Sequence, residues 1–203
     1  MHLDFARLTR PEAYAWMTTT ILPRPIAWVA TLSVEGKTNL APFSFFQAIT
    51  ANPPTLMFVP VNQRDGSPKD TLRNIEATRE FVVNVVPFAL AEPMNACAAL
   101  LPHGESEFEA FGILSEPSTY VRAPRVAAAP VAFECALHSV VKIGEGAGAA
   151  NVVFGRILGM HIDDAVLGAD GLPDAAKLDL VGRLGGEDYT RTTERFAIKR
   201  PDR

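Results

Sequence analysis

Cysteine is scarce: Cys97 and Cys135 are the only two in 203 residues. Two thiols build neither a disulfide framework nor a four-thiolate zinc site, and such sparse use suits a reducing compartment. The four histidines, His2, His103, His138 and His161, show no helical metal spacing, and no H-E-x-x-H occurs, so a zinc centre is not expected. His138 falls in a strand pattern and reads as structural. A G-x-S-x-G elbow is also missing, which removes local support for acyl-transfer hydrolysis. Positive charge is in deficit, with 19 Lys and Arg against 23 Asp and Glu. That balance argues against a nucleic-acid binder or a polybasic membrane-surface protein. No apolar run reaches the ~18 residues of a membrane span. The best candidate, from Val126 to Val141, is broken by Pro130 and Glu134. Met1 to Arg7 lacks a basic start followed by an apolar run, so no secretory signal is expected. The reading is a soluble cytoplasmic protein, one domain over residues 1–203.

What is present is an ordinary globular composition, 48% hydrophobic and 21% charged, so disorder is not the default. Thr9-Arg10-Pro11-Glu12 carries a capping box and a proline suited to a first turn, which predicts a short helix from Pro11 to about Thr19. The chain then turns β. Ile26 to Leu32 is rich in branched and aromatic side chains. The Gly-containing turn Ser33–Lys37 allows Thr38 to Ala41 to return as a partner strand. Further strands are expected over Thr55 to Val59 and Glu80 to Val86, with Asp65-Gly66 as a turn between them. Ser67-Pro68-Lys69-Asp70 predicts a second helix, capped by Ser67 with Asp70 closing the box, and Leu72 and Ile75 on one face.

Phe88 to Leu100 reads as a helix broken near Pro93, and Ser106 to Phe111 as one more short piece. Val131 to Ile143 and Val152 to Ile162 predict a long hairpin whose Gly/Ala-rich connection, Gly144 to Ala150, is mobile. The tail suggests an edge strand at Phe196-Ala197-Ile198. Strands dominate and do not alternate regularly with helices, so a doubly wound parallel sheet is disfavoured. A mainly β antiparallel barrel with peripheral helices is the better reading.

Gly144-x-Gly146-x-Gly148 follows a strand, as a dinucleotide fingerprint requires. Asn151-Val152-Val153-Phe154 then reads as strand, not helix, so no helix N-terminus is available for a pyrophosphate. A flexible hairpin loop accounts for these glycines. Trp16, Trp28 and the run Phe43, Phe45, Phe46 suit a core, with alternation placing Phe43 and Phe45 on one face. Asn39 and Ser44 are polar in that apolar neighbourhood and need partners, either backbone or a ligand edge. Lys69 and Thr71 sit at a helix start, and Arg24 is stiffened between Pro23 and Pro25. Free amides, a cation and a hydroxyl at one helix start make a candidate phosphate site. Ordinary solvated charges are the alternative for Lys69 and Arg24.

Pro23 to Thr31, followed by Asn39-Leu40-Ala41-Pro42-Phe43-Ser44-Phe45-Phe46, resembles the flavin reductase-like, FMN-binding split-barrel family. The closer similarity is to its branch of dimethyl sulfide and nitrilotriacetate monooxygenase reductase components, which includes flavoredoxin-like proteins. Asn52-Pro53-Pro54, Lys69 to Ile75, Glu80 to Val86, Pro124-Arg125-Val126 and Gly182-Arg183-Leu184-Gly185-Gly186 extend the resemblance over most of the chain. It implies a homodimeric six-stranded antiparallel split barrel holding FMN near the subunit interface. By the same resemblance Arg24, Lys69 and Thr71 hold the phosphate, and Asn39, Ala41, Phe43 and Ser44 line the isoalloxazine. Arg183 and Tyr189 reach the flavin from the tail. The implied activity is NAD(P)H-dependent flavin reduction serving a monooxygenase or other acceptor. A flavoredoxin-like electron carrier with tightly bound FMN is the alternative, and a dimeric scaffold that has lost flavin is the third. Stand-alone reductases of the family often carry a histidine where this chain has Asn151.

Overall fold

The computed structural model describes residues 1–201. Its strands in chain order are β1 (Arg24–Pro25), β2 (Ala27–Leu32), β3 (Thr38–Phe43), β4 (Phe46–Ala51), β5 (Pro54–Phe58), β6 (Glu80–Asn84), β7 (Ser115–Glu116) and β8 (Arg125–Val126). They continue with β9 (Val131–Ile143), β10 (Ala150–Ile162), β11 (Val181–Arg183) and β12 (Tyr189–Arg191). The helices are α1 (Arg10–Thr20), α2 (Asp70–Thr78), α3 (Ala91–Ala96), α4 (Glu107–Ala110) and α5 (Ala175–Leu178).

Seven strands pair in the order β3-β2-β6-β9-β10-β5-β4, every neighbour antiparallel. The two edge strands, β3 and β4, are separated in the chain by only Ser44 and Phe45. That short connection rolls the sheet, because both edges must meet at one corner. Counting β3 and β4 as one bent strand gives the six-stranded split barrel. β2 reads Ala-Trp-Val-Ala-Thr-Leu and is buried on both faces. Trp28 and Ala30 enter one core with Leu40, Val82, Met94 and Phe108. Ala27 and Val29 enter the other with Phe43, Phe58, Phe81, Leu72 and Ile75. A strand apolar at every position but Thr31 thus joins two cores, and α2 delivers Leu72 and Ile75 to the second.

Several expectations change in detail. Thr9 and Glu12 do close their box: the Thr9 amide and hydroxyl both donate to Glu12 Oε2, at 2.8 and 2.7 Å. The second helix starts later than expected. Ser67 donates through both its amide and its hydroxyl to Asp65 Oδ1, at 2.8 and 2.7 Å, and Lys69 takes the N-cap position. Pro93 lies inside α3, in a first turn that loses no hydrogen bond to it, and the break falls earlier, where a short 3-10 turn over Phe88–Leu90 gives way to α3. Phe43 and Phe45 do not share a face, since β3 ends at Phe43 and a bend follows.

The loop between β9 and β10 is fastened. Asn62 donates its amide to Ala149 O at 2.9 Å and its side chain to Gly146 O at 3.2 Å, and Gly148 N donates to Asn62 O. Gly144, Gly146 and Gly148 all have φ between 71 and 79°, the left-handed region that glycine enters at least cost. Phe196 to Ile198 joins no sheet. The tail pairs instead through β11, which lies between β1 and β12.

Candidate functional site

β3 and the start of α2 meet below the barrel corner. β3 pairs with β2 along one side, and Leu40 N–H on the other side finds the Glu107 carboxylate of α4 at 2.7 Å. The next residue but one is Pro42, which has no N–H to satisfy. Asn39, Ala41 and Phe43 project to the α2 side. Asn39 Nδ2 donates to Thr71 Oγ1 at 3.1 Å, both residues being buried. One helical turn on, Asn74 Nδ2 donates to Thr31 Oγ1 at 3.0 Å. The Asn39–Thr71 pair accounts for one of the two polar residues that stood out in an apolar stretch, and the other, Ser44, accepts from Arg24 Nε at 3.4 Å.

Lys69 O accepts the amides of Leu72 and Arg73. Among the described residues the amides of Asp70 and Thr71 have no acceptor. They are the unpaired donors that every helix start carries. Because Thr71 Oγ1 accepts from Asn39, its hydroxyl proton is free to donate elsewhere.

Two cavities open at this point. The first, of about 350 Å³, is lined by Asn39, Ala41, Lys69, Thr71, His103 and Glu107 among others. The second, of about 210 Å³, is lined by Tyr14, Phe43, Ser44, Phe45, Val59 and Val61, with Pro42 and Lys69. The Tyr14 and Phe45 rings lie 6.5 Å apart. Lys69 and Pro42 line both cavities, so the cavity at the start of α2 and the aromatic-lined one adjoin.

The charges of the first cavity are largely paired. Asp70 accepts from His103 Nδ1 at 2.7 Å and faces Arg73 at 3.5 Å. Hydrogen bonds from Ser67 hold the Asp65 carboxyl below its usual range. Burial raises the Glu107 carboxyl, against the lowering effect of the Leu40 amide. Burial also pushes the Cys97 thiol up to about 12, so it is no nucleophile near neutrality. Among the described residues no cluster of His, Cys, Asp and Glu could hold a metal ion.

A model of the flavin reductase-like domain matches residues 17–175. The chain belongs to the flavin reductase-like family. It is 31% identical to nitrilotriacetate monooxygenase component B from Bacillus cereus, covering 98% of each chain with a TM-score of 0.92. It is 34% identical to the 2-nitrobenzoate 2-nitroreductase of Pseudomonas fluorescens, covering 99% of this chain and 96% of that one, with a TM-score of 0.87. An uncharacterized protein of Deinococcus radiodurans is 42% identical over 207 residues, 98% of this chain and 89% of the relative.

A flavin places a planar, mostly apolar ring system at one end of a polyol chain. Its mononucleotide ends in a phosphate at the other. The residues of this flavin reductase-like chain suit both ends, with unpaired amides, Lys69 and Thr71 at one cavity and the aromatic slot at the other. The two volumes lie in or near the usual range for ligand pockets, ~300–1,000 Å³.

Of the residues singled out from sequence, Asn39, Ala41, Lys69 and Thr71 share the first cavity, and Phe43, Ser44 and Lys69 the second. Arg24 lines neither. It is 5% exposed, and its guanidinium donates to Thr18 O at 2.6 Å, Ile21 O at 2.9 Å, Leu184 O at 2.8 Å and, more weakly, Ser44 Oγ at 3.4 Å. Tyr189 lies in a separate crevice beside the tail. Its hydroxyl donates to Asn95 Oδ1 at 2.9 Å, and Arg183 stacks on its ring.

Asn151 lines neither cavity. Its side chain donates to Pro60 O at 3.2 Å and Asn62 Oδ1 at 2.8 Å. Tyr14, His103 and Glu107 were not visible as site residues. Nothing local distinguishes them; the fold brings Glu107 to the β3 edge on α4, His103 on the loop before it and Tyr14 from α1.

Proposed function

We propose that this chain is an FMN-binding oxidoreductase, taking electrons from NADH or NADPH and supplying them, or reduced flavin, to a second protein such as a monooxygenase. The observation that carries this reading is the position of Lys69, between a cradle for a phosphate and a slot for a flat ring. Lys69 and the amides of Asp70 and Thr71 hold the phosphate, with a dipole contribution of ~0.3–1 kcal/mol. Asn39 turns the Thr71 hydroxyl so that its proton faces the anion. Phe43 and Ser44 line the ring, while Tyr14, Phe45 and Val61 keep water from it, and Ala41 and Asn39 lie at the phosphate side. When bound, FMN supplies the hydride and single-electron chemistry. The resemblance and the exposed apolar side chains of α1 support a homodimer, with the second copy closing the open side of the slot.

The protein should purify yellow, or bind added FMN with a shifted absorbance spectrum, and oxidise NADH or NADPH faster than free flavin does. Lys69→Ala should weaken FMN by about ten- to a hundredfold, the value of a charge-assisted contact, and leave riboflavin nearly unchanged. Absence of flavin binding, or equal loss for both ligands, would overturn the site. The second reading, a carrier that holds FMN but turns over NAD(P)H poorly, is favoured by one observation. Asn151 and the Gly144–Ala149 loop are bonded to the Pro60–Asn62 segment, and both Asn151 Nδ2 protons are used there rather than on a nicotinamide. Bound FMN without NAD(P)H oxidation above free flavin selects it.

A further inference from the structure

α1 is poorly held by its own side chains. Thr18 is its only buried residue, while Tyr14, Trp16 and Met17 are exposed, as is Ile21 at its C-cap. A helix of eleven residues with so small an apolar anchor needs another attachment, because isolated short helices are marginal in water. Yet α1 supplies one wall of the aromatic slot through Tyr14.

The attachment is visible at its C-terminal end. Arg24 N–H groups satisfy the Thr18 and Ile21 carbonyls, which lie where a helix leaves carbonyls without partners and where a cation meets the dipole favourably. The same guanidinium reaches Leu184 O on the tail and Ser44 Oγ at the barrel corner. Thr18 in turn donates its hydroxyl to Tyr14 O at 2.9 Å, one turn back. The tail lies flat on this junction: a Cβ on Gly185 would come within 2.5 Å of Thr19 Cγ2.

We propose that Arg24 is a positioning residue. It pins α1 and the Leu184–Gly185 segment to the barrel corner and so sets the width of the slot, and it does not hold a phosphate. The slot's occupant rests on the flavin reading above. A planar fork with donors spread over both ends and Nε is what four acceptors on three segments require, and a lysine ammonium cannot replace it. A phosphate, by contrast, tolerates a lysine as a point charge.

The test compares Arg24→Lys, Arg24→Met and Gly185→Val with the full-length wild-type protein. Four readouts are used: FMN affinity, riboflavin affinity, amide hydrogen exchange over residues 13–21, and acrylamide quenching of tryptophan fluorescence. Arg24→Lys and Arg24→Met should weaken FMN and riboflavin by the same factor, about tenfold. Exchange in α1 should quicken in both, and acrylamide quenching of Trp16 should rise while buried Trp28 stays protected and reports an intact barrel. Gly185→Val should loosen α1 with Arg24 in place, which keeps the test alive should an Arg24 variant fail to fold. A loss confined to FMN, or one that Lys restores, would return Arg24 to the phosphate and overturn the proposal. Unchanged α1 exchange in the Arg24 variants would overturn it as well. Wild-type protein that binds neither flavin would sink the flavin reading instead, and the exchange data would still decide whether Arg24 pins α1.

Discussion

Glu107 is a carboxyl whose titration changes on folding. Its carboxylate caps an edge-strand amide, yet burial dominates and raises its titration. The native state therefore holds a proton over a pH range in which the unfolded chain has already ionised. Stability from this source is complete below the unfolded-state value and is lost as pH rises through the folded one. Glu107→Gln keeps an oxygen for the Leu40 amide and removes the titration. Between about pH 5 and about pH 8 the urea midpoint of wild-type protein should fall relative to that of the Gln variant. Parallel midpoints would show that the Leu40 bond, not burial, controls the group. Asn39 was legible as a polar residue in an apolar setting, and Lys69 and Thr71 as a helix start suited to an anion. Glu107 was not, because an acidic residue opening a short helix looks like surface until its partner strand is placed.

Among the elements, α2 and α1 contrast. α2 buries Thr71, Leu72, Asn74 and Ile75 on one face, of which the Leu72 and Ile75 pair was readable from spacing. α1 shows a clear capping box but no core stripe, so sequence located the helix without showing where it docks. The β9–β10 hairpin divides in the same way. Its strands follow from long runs of branched residues, whereas the state of its loop depends on Asn62, some eighty residues upstream. Asn151 joins the two by holding Pro60 O and Asn62 Oδ1. Asn151→Ala should cost about 1–3 kcal/mol in urea unfolding, the penalty for removing one partner of buried hydrogen bonds. It should also quicken exchange at Asn62 and Gly148. A variant as stable as wild type, with the loop still protected, would show that backbone pairing alone suffices.

At the scale of the whole molecule, Tyr14, Met17, Ile21, Leu22 and Ile49 are large apolar side chains left exposed on the single chain. Scattered apolar residues need no explanation, but a helix with four in or just beyond it marks a surface that seeks a partner. Sedimentation at micromolar concentration should give one species of twice the 21.9 kDa chain mass. Met17→Glu should shift it towards monomer and weaken flavin binding together. A monomer with undiminished flavin affinity would separate assembly from the site.

Sequence alone missed β4 and placed an edge strand at Phe196–Ile198 where none forms. It did determine six of the strands, β2, β3, β5, β6, β9 and β10, the helix starts at Thr9 and near Ser67, and the family through two motif blocks. Each of these is a local property: branched residues, capping spacing and turn glycines act within a few positions. Only the tertiary structure decided that Lys69 stands between two cavities and that the glycine loop is fastened. It also decided that Arg24 spends its donors on the backbone. Those outcomes depend on which segments the rolled sheet brings together. A guanidinium twenty residues from Ser44 and a hundred and sixty from Leu184 acquires its partners only when β1, β11 and the β3–β4 corner meet.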